Sequence, residues 1–289
     1  MHFNTVLTSL ALAASAVLAK PILSTRAPAG NATNVNEDGV YISCNRTGVF
    51  AMTFDDGPYQ YSWDLAKYLN EQGIRSTFFI NGNNWVNVES DTVTTSDGDK
   101  TYMEVIKHYY DMGHEVASHT YEHKVLTGLT KEEIEYQMNT QSDMGHEVAS
   151  HTYEHKVLTG LTKEEIEYQM NTQSDIIFKA IGKRPALMRP PTGAYDANSL
   201  AVLKELGYSV VNWDLDTNDW RAHDFTQEKA AYQEMDQDTP QTLGHITLEH
   251  EVYNQTVDEL VPWAINYLKT KGYQLVTASE CIGVEPYQN

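Results

Sequence analysis

Between Cys44 and Cys281, short β-branched or apolar runs alternate with amphipathic stretches of helical period, and that alternation restricts the chain to parallel β/α architectures. Seven runs read as strands: GVFAMTF, RSTFFI, HEVASH, ALMRP, YSVVNWD, HITLEH and YQLVTA. SWDLAKYLNEQG reads as a helix stopped by Gly73, and DANSLAVLKELG as one capped by Asp196 and stopped by Gly207. Seven strands predict a barrel, whose catalytic groups gather where the C-terminal strand ends open on one face. Residues capable of chemistry fall at those ends. Asp55 and Asp56 close the first strand, His119 the third and Arg189 the fourth; Asp216 and Asp219 follow the fifth, and His250 closes the sixth.

A repetition adds a second constraint. DMGHEVASHTYEHKVLTGLTKEEIEYQMNTQS fills residues 111–142 and recurs without a substitution at 143–174. Solenoid units diverge and come in larger numbers, because one unit cannot bury its own apolar face. Two identical copies instead mark a recent tandem duplication, or an error in the gene model, in a fold that needs the segment once. The surplus window can start anywhere from 111 to 143 and leave the same remaining sequence. Starts at 124–143 keep His119 and His123, whereas starts at 111–119 keep the alternative pair His151 and His155. Added chain is best tolerated in a loop, where doubling the length costs about 0.6 kcal/mol. The KVLTGLT segment after His123 is such a loop. The first copy is therefore expected to supply the strand and histidines, and the second copy's helix to run on through DIIFKAIG towards Arg189.

The chain opens on a polar start and a short apolar run ending near Ala19, the form of a secretory signal peptide at 1–19. Residues 20–43 read as a linker, and 44–289 as one domain containing the duplicate. No later segment is apolar enough to span a bilayer, and CIGVEPYQN carries no apolar anchor tail. In a secreted chain Cys44 and Cys281 are expected to form one disulfide joining the domain's ends. Sequons at Asn31, Asn45 and Asn254 agree with secretion to the extracellular space or cell wall. A net charge of −20 argues against nucleic acid, whose phosphates require basic patches; it leaves a neutral polymer open.

Five motifs carry chemistry. TFDDGP sets two carboxylates after a strand, so that one can bind a metal while its neighbour acts as a base. HTYEH holds two imidazoles four apart. The letters also fit a peptidase helix, H-x-x-E-H, but Val116 and Ala117 lead in as a strand, and a loop follows before a capping box at Thr130 and Glu133. In MRPPTGAYD, Pro190 and Pro191 fix the backbone and leave the Thr192 amide as an oxyanion donor. DTNDW supplies Asp219 to orient a partner and Trp220 as a wall for a sugar ring. TLEH ends on His250, with Leu248 on the same strand face.

Taken in order with RSTFFINGNNW, these motifs resemble those of the polysaccharide deacetylase family, the NodB-homology carbohydrate esterases, and within it the secreted fungal chitin deacetylases. The resemblance implies a distorted (β/α) barrel of about seven parallel strands, here with one duplicated β/α segment. It implies a divalent metal, zinc with cobalt as the alternative, on Asp56, His119 and His123. By the same resemblance Asp55 is the base, His250 the acid, Arg189 and Asp219 their tethers, and Leu248 the lining for the acetyl methyl. The implied substrate is chitin or another N-acetylated polysaccharide, and the implied state a monomer binding neither nucleic acid nor membrane. Acetylxylan and peptidoglycan are the alternative substrates, and a chitin-binding protein without catalysis is the alternative class. Adjacent Asp55 and Asp56 are badly placed for a glycosidase, whose carboxyls stand roughly 5–9 Å apart. Two positions depart from the family. Thr192 stands where an aromatic residue is usual, which removes one wall of the groove, and Glu251 where an aspartate commonly follows the histidine.

Overall fold

The computed structural model describes residues 34–123, 160–235, 240 and 242–288. The proposed signal peptide, Asn31, Thr130, Glu133, His151 and His155 lie outside these residues.

The expected parallel barrel is present, with two of its seven strands broken. The first divides at Met52 into β1 (Val49–Ala51) and β2 (Thr53–Asp55). The others are β3 (Thr77–Ile80), β6 (Glu115–Ser118), β7 (Leu187–Met188), β8 (Ser209–Val210), β9 (Leu215–Asp216), β10 (His245–His250) and β11 (Gln274–Val276). The sheet runs β11-β1-β10-β2-β3-β6-β7-β8, every pair parallel, with β9 on the other side of β10. YSVVNWD, read as one strand, supplies both β8 and β9: it leaves β7 at Val211 and joins β10 at Leu215. Closure therefore runs through the chain itself, which is what distorts the barrel. The sequence reading also missed an antiparallel hairpin, β4 (Thr92–Thr95) with β5 (Gly98–Thr101), turning on Ser96 and Asp97.

Helices cover the outside. α1 (Ser62–Glu71) buries Leu65, Ala66 and Leu69, and Gly73 follows at φ 72° as its stop. α2 (Tyr102–Asp111) starts from a capping box between Thr101 and Glu104. α3 (Lys163–Ile181) carries the second copy's helix on through Asp175–Ile181, from a capping box of Thr162 and Glu165. α4 (Ala197–Glu205) begins at Asp196 as expected. α5 (Asp219–Ala222), α6 (Phe225–Glu234), α7 (Val261–Lys271) and α8 (Ala278–Ile282) complete the order. β6 and His119–His123 thus belong to the first copy and α3 to the second. The two copies meet where Gln169 accepts from the Glu122 amide (3.2 Å) and donates to its carboxylate (3.1 Å).

Strand alternation sorts the core into two layers. Phe54, Phe78 and Val116 pack outward with Leu65, Tyr109 and Ile265. Ala51, Phe79, Ala117, Leu187 and Ile246 fill the interior. Asp55, His119, Arg189, Leu248 and His250 share the parity of those interior residues, which aims them at the barrel mouth. At the other end the Cys44–Cys281 disulfide joins the segment before β1 to α8.

Two acids alternate with His250 and face outward. Glu249 accepts from Tyr232 Oη, and Glu251 from Tyr109 Oη at 2.6 Å. Both are fully buried, and burial pushes each carboxyl up to about 8. The native state therefore holds protons that the unfolded chain loses above about pH 4.5, so these groups lower stability as pH rises towards 8. Glu249→Gln is expected to gain stability relative to the parent by on the order of 1 kcal/mol per pH unit across that window. Paired urea titrations from pH 5 to 8 measure it; a pH-independent difference would show that Glu249 is ionised in the fold.

Candidate active site

One cavity of about 350 Å³ opens at the C-terminal strand ends, lined by Asp55, Asp56, His119, His123, Thr192, Trp220, Leu248 and His250 among others. The structure brings together there every cavity-lining side chain that the sequence proposed, with Arg189 and Asp219 buried behind them.

Asp55 ends β2 and is buried. Arg189, wholly buried, donates from Nη1 to Asp55 Oδ1 (2.7 Å) and Thr53 Oγ1 (2.8 Å), and from Nε to the Val211 carbonyl (3.1 Å). Its guanidinium lies over Phe79, 4.2 Å from the ring centre. Burial raises the Asp55 pKa and the Arg189 cation opposes the rise. A buried carboxylate made more basic and held in place by a fixed cation is suited to accepting a proton.

Asp56 leaves the strand at φ 72°, a left-handed turn that side chains rarely adopt. The turn brings its carboxylate to the same side as Asp55, where a continued strand would have sent the two apart. Asp56 Oδ1 stands 3.0 Å from His123 Nε2 and 3.6 Å from His119 Nε2, and the two Nε2 atoms are 2.9 Å apart. HTYEH is not helical: Thr120 and His123 take φ of 66° and 46°, which removes the peptidase alternative. His119 Nδ1 lies 2.7 Å from the Arg189 carbonyl, an acceptor only, so Nδ1 carries the proton and Nε2 presents a lone pair to the cavity. Burial lowers His119 to about 3 and His123 to about 4, which keeps both neutral, the form that binds metals. One atom each from two imidazoles and a carboxylate, all within 4.8 Å of one another, fit a divalent cation and leave room for further ligands.

His250 lies on the opposite wall. Its Nδ1 is 2.8 Å from Asp219 Oδ1, while its amide donates to Asp219 Oδ2 (2.7 Å), which also accepts from Thr256 Oγ1 (2.8 Å). Burial works against charging this imidazole, but the carboxylates of Asp219, Asp56 and Asp55 together outweigh it and lift the pKa to about 10. An imidazolium tied at Nδ1 has Nε2–H left to donate.

Thr192 sits at φ 58° in the turn Pro191–Gly193; the Gly193 and Ala194 amides close that turn on the Pro190 and Pro191 carbonyls. Beside Thr192, Trp213 lines the cavity and packs so close to Gly193 that a Cβ there would lie 2.8 Å from its ring. Sequence reasoning missed Trp213, and it missed Trp85 and Tyr253, whose rings meet 6.0 Å apart on the other rim. Trp213 stands in the break between β8 and β9, and reading through that break as one strand hid it. Glu251 reaches beneath the DDGP turn: a Cβ on Gly57 would lie 1.7 Å from Glu251 Oε1. The Glu251 carboxyl occupies the space that Gly57 leaves.

The family model described as "Polysaccharide deacetylase" matches residues 43–144 and 135–211, two overlapping pieces that each contain one copy of the repeat. A chitin deacetylase of Colletotrichum lindemuthianum is 28% identical over 295 residues, 99% of this chain and 98% of its own length. One of Pestalotiopsis sp is 31% identical over 273 residues, 94% of this chain and 74% of its own. The solved chitin deacetylase structure from C. lindemuthianum superposes with a TM-score of 0.69 at 27% identity, covering 87% of this chain and 96% of that one.

Proposed function

The chain belongs to the polysaccharide deacetylase family, and from that premise we propose that it hydrolyses the N-acetyl groups of chitin or chito-oligosaccharides, releasing acetate and leaving glucosamine units. The observation that carries this is one cavity in which a three-donor cluster stands between an Arg-held carboxylate and an Asp-held imidazole. A divalent cation, zinc or cobalt, on Asp56, His119 and His123 would supply Lewis acidity and lower the pKa of a water towards about 7.

The residues divide the rest of the reaction. Asp55 takes the proton of the water that attacks the acetamide carbonyl, and Arg189 holds its carboxylate still. The Thr192 amide faces the developing oxyanion. Leu248 and Trp213 exclude water around the acetyl methyl, and Trp220, exposed on the rim, offers a face to the sugar. His250 gives its proton to the departing nitrogen, and Asp219 fixes the ring and stabilises its cation. We place the protein outside the cell or in its wall, acting as a monomer on an uncharged polymer, with exposed Asn45 and Asn254 open to glycosylation. The disulfide agrees with that location, and no helix of the described residues is long and apolar enough to cross a membrane.

Acetate release should be measured on chitin oligomers, acetylxylan and peptidoglycan, after chelation and after return of zinc or cobalt. Chitin oligomers are expected to be the best substrate, with activity lost to chelator and restored by metal. Preference for acetylxylan or peptidoglycan would overturn the chitin assignment, and acetate from none of them would leave a binding protein. His250→Ala is expected to slow the amide by roughly 10²–10⁴-fold and an activated acetate ester far less, because only an amine leaving group depends strongly on a proton. Equal losses on both would refute the acid role.

A further inference from the structure

The candidate metal ligands sit on backbone that does not hold its own shape. Asp56, Thr120 and His123 all take left-handed φ values of 72°, 66° and 46°. Such conformations are unfavourable in residues with a side chain and persist only where the surroundings over-determine them. The two loops leave different strands, β2 and β6, and β3 lies between them. The first residue past β3 is Asn81, which is buried.

Asn81 reaches both loops. Its backbone amide donates to the carbonyl of Gly57 (2.8 Å), the residue after Asp56. Its side-chain Nδ2 donates to the carbonyls of His119 (2.6 Å) and Thr120 (2.9 Å). An amide nitrogen has two hydrogens, and both are spent on the backbone that carries His119. Its Oδ1 accepts from Asn84 Nδ2 (3.3 Å), which fixes which way the amide faces. The next two amides, of Gly82 and Asn83, donate to the Tyr121 carbonyl (3.0 and 2.8 Å), continuing the same seam. One residue thus ties the backbone of the HTYEH loop to that of the DDGP turn.

We propose that Asn81 is a positioning residue that sets the separation between Asp56 and the His119/His123 pair, and through it the affinity of the site for a divalent ion. It touches neither substrate nor ion. Its contribution is to hold two strained loops in register, and its loss should be felt first as weaker, less regular coordination. The proposal rests on the metal-site reading above.

The test is the affinity of purified protein for Zn²⁺ and Co²⁺, by competition with a chromophoric chelator, together with the visible spectrum of the Co²⁺ form. Asn81→Ala removes both side-chain donors. Asn81→Asp keeps the shape but turns a carboxylate oxygen towards two carbonyls. Both are expected to weaken metal binding by roughly 10–100-fold, the range for loss of an outer-sphere partner, and to change the Co²⁺ bands. If either variant does not fold, Asn81→Ser, which keeps one donor, is read instead, with a smaller loss in the same direction. A purely architectural role would lower the Tm of the chelated protein and leave affinity and spectrum unmoved, and that outcome would overturn the proposal alone. Failure of the parent protein to bind either ion would overturn the metal-site reading and the proposal with it.

Discussion

Asp55→Asn is expected to lower kcat on chito-oligosaccharides by roughly 10²–10⁴-fold while the protein still binds zinc. The substitution keeps the shape and an oxygen that can accept from Arg189, which holds Asp55 Oδ1 at 2.7 Å, but an amide cannot take up a proton. Asp56, the neighbour turned to the histidines, is untouched, so metal content should stay near that of the parent. Stability should fall as well. Arg189 is wholly buried, and breaking a buried ion pair by removing one partner costs about 3–5 kcal/mol. The guanidinium keeps Thr53 Oγ1 and the Val211 and Asn212 carbonyls, which should let the variant fold at lower temperature. Turnover, metal content and melting must therefore be measured on the same preparation. A folded, metal-loaded Asp55→Asn variant with near-parental kcat would remove Asp55 from the role of base.

The second large effect separates the duplicated histidines. His119→Ala/His123→Ala is expected to abolish stoichiometric metal binding and acetate release, and His151→Ala/His155→Ala to preserve both. Loss of two inner ligands should exceed the roughly 10–100-fold cost of losing an outer-sphere partner. The expectation stands on Asp56 Oδ1 lying 3.0 Å from His123 Nε2, and on β6 of the first copy being bonded to β3 along its whole length. Metal analysis of the two double variants decides it. The opposite pattern would assign the site to the second copy, and retention in both would mean that the copies exchange.

Much of this arrangement is legible in the chain because strand parity is a local rule. Given HITLEH after an apolar core position, Leu248 and His250 must face the same way; given TFDDGP and HEVASH, Asp55 and His119 must reach the mouth. The helix stops at Gly73 and Gly207 are equally local. What escapes is whatever depends on a departure from regular backbone. The left-handed Asp56, the break at Met52 and the transfer of one strand between partners at Val211 are imposed by tertiary contacts that no window of sequence contains. Trp213 was hidden by that transfer, and Asn81 by its place in a run that reads as strand and turn. Thr256 shows the reverse. In sequence it completes a sequon with Asn254, whereas in the fold its hydroxyl holds Asp219, so one letter answers to two demands.

The disulfide and the repeat together have a consequence for what a protease can do to the chain. The long stretch between His123 and Gly160 separates Asp55, Asp56, His119 and His123 from Arg189, Asp219 and His250. Cys44 lies on one side of it and Cys281 on the other. A protease that cut the peptide chain once anywhere in 124–159 would leave two fragments that divide these groups between them, still joined through sulfur. Such a nicked enzyme would migrate as one species until reduced, and proteolysis in the repeat would not by itself release either half.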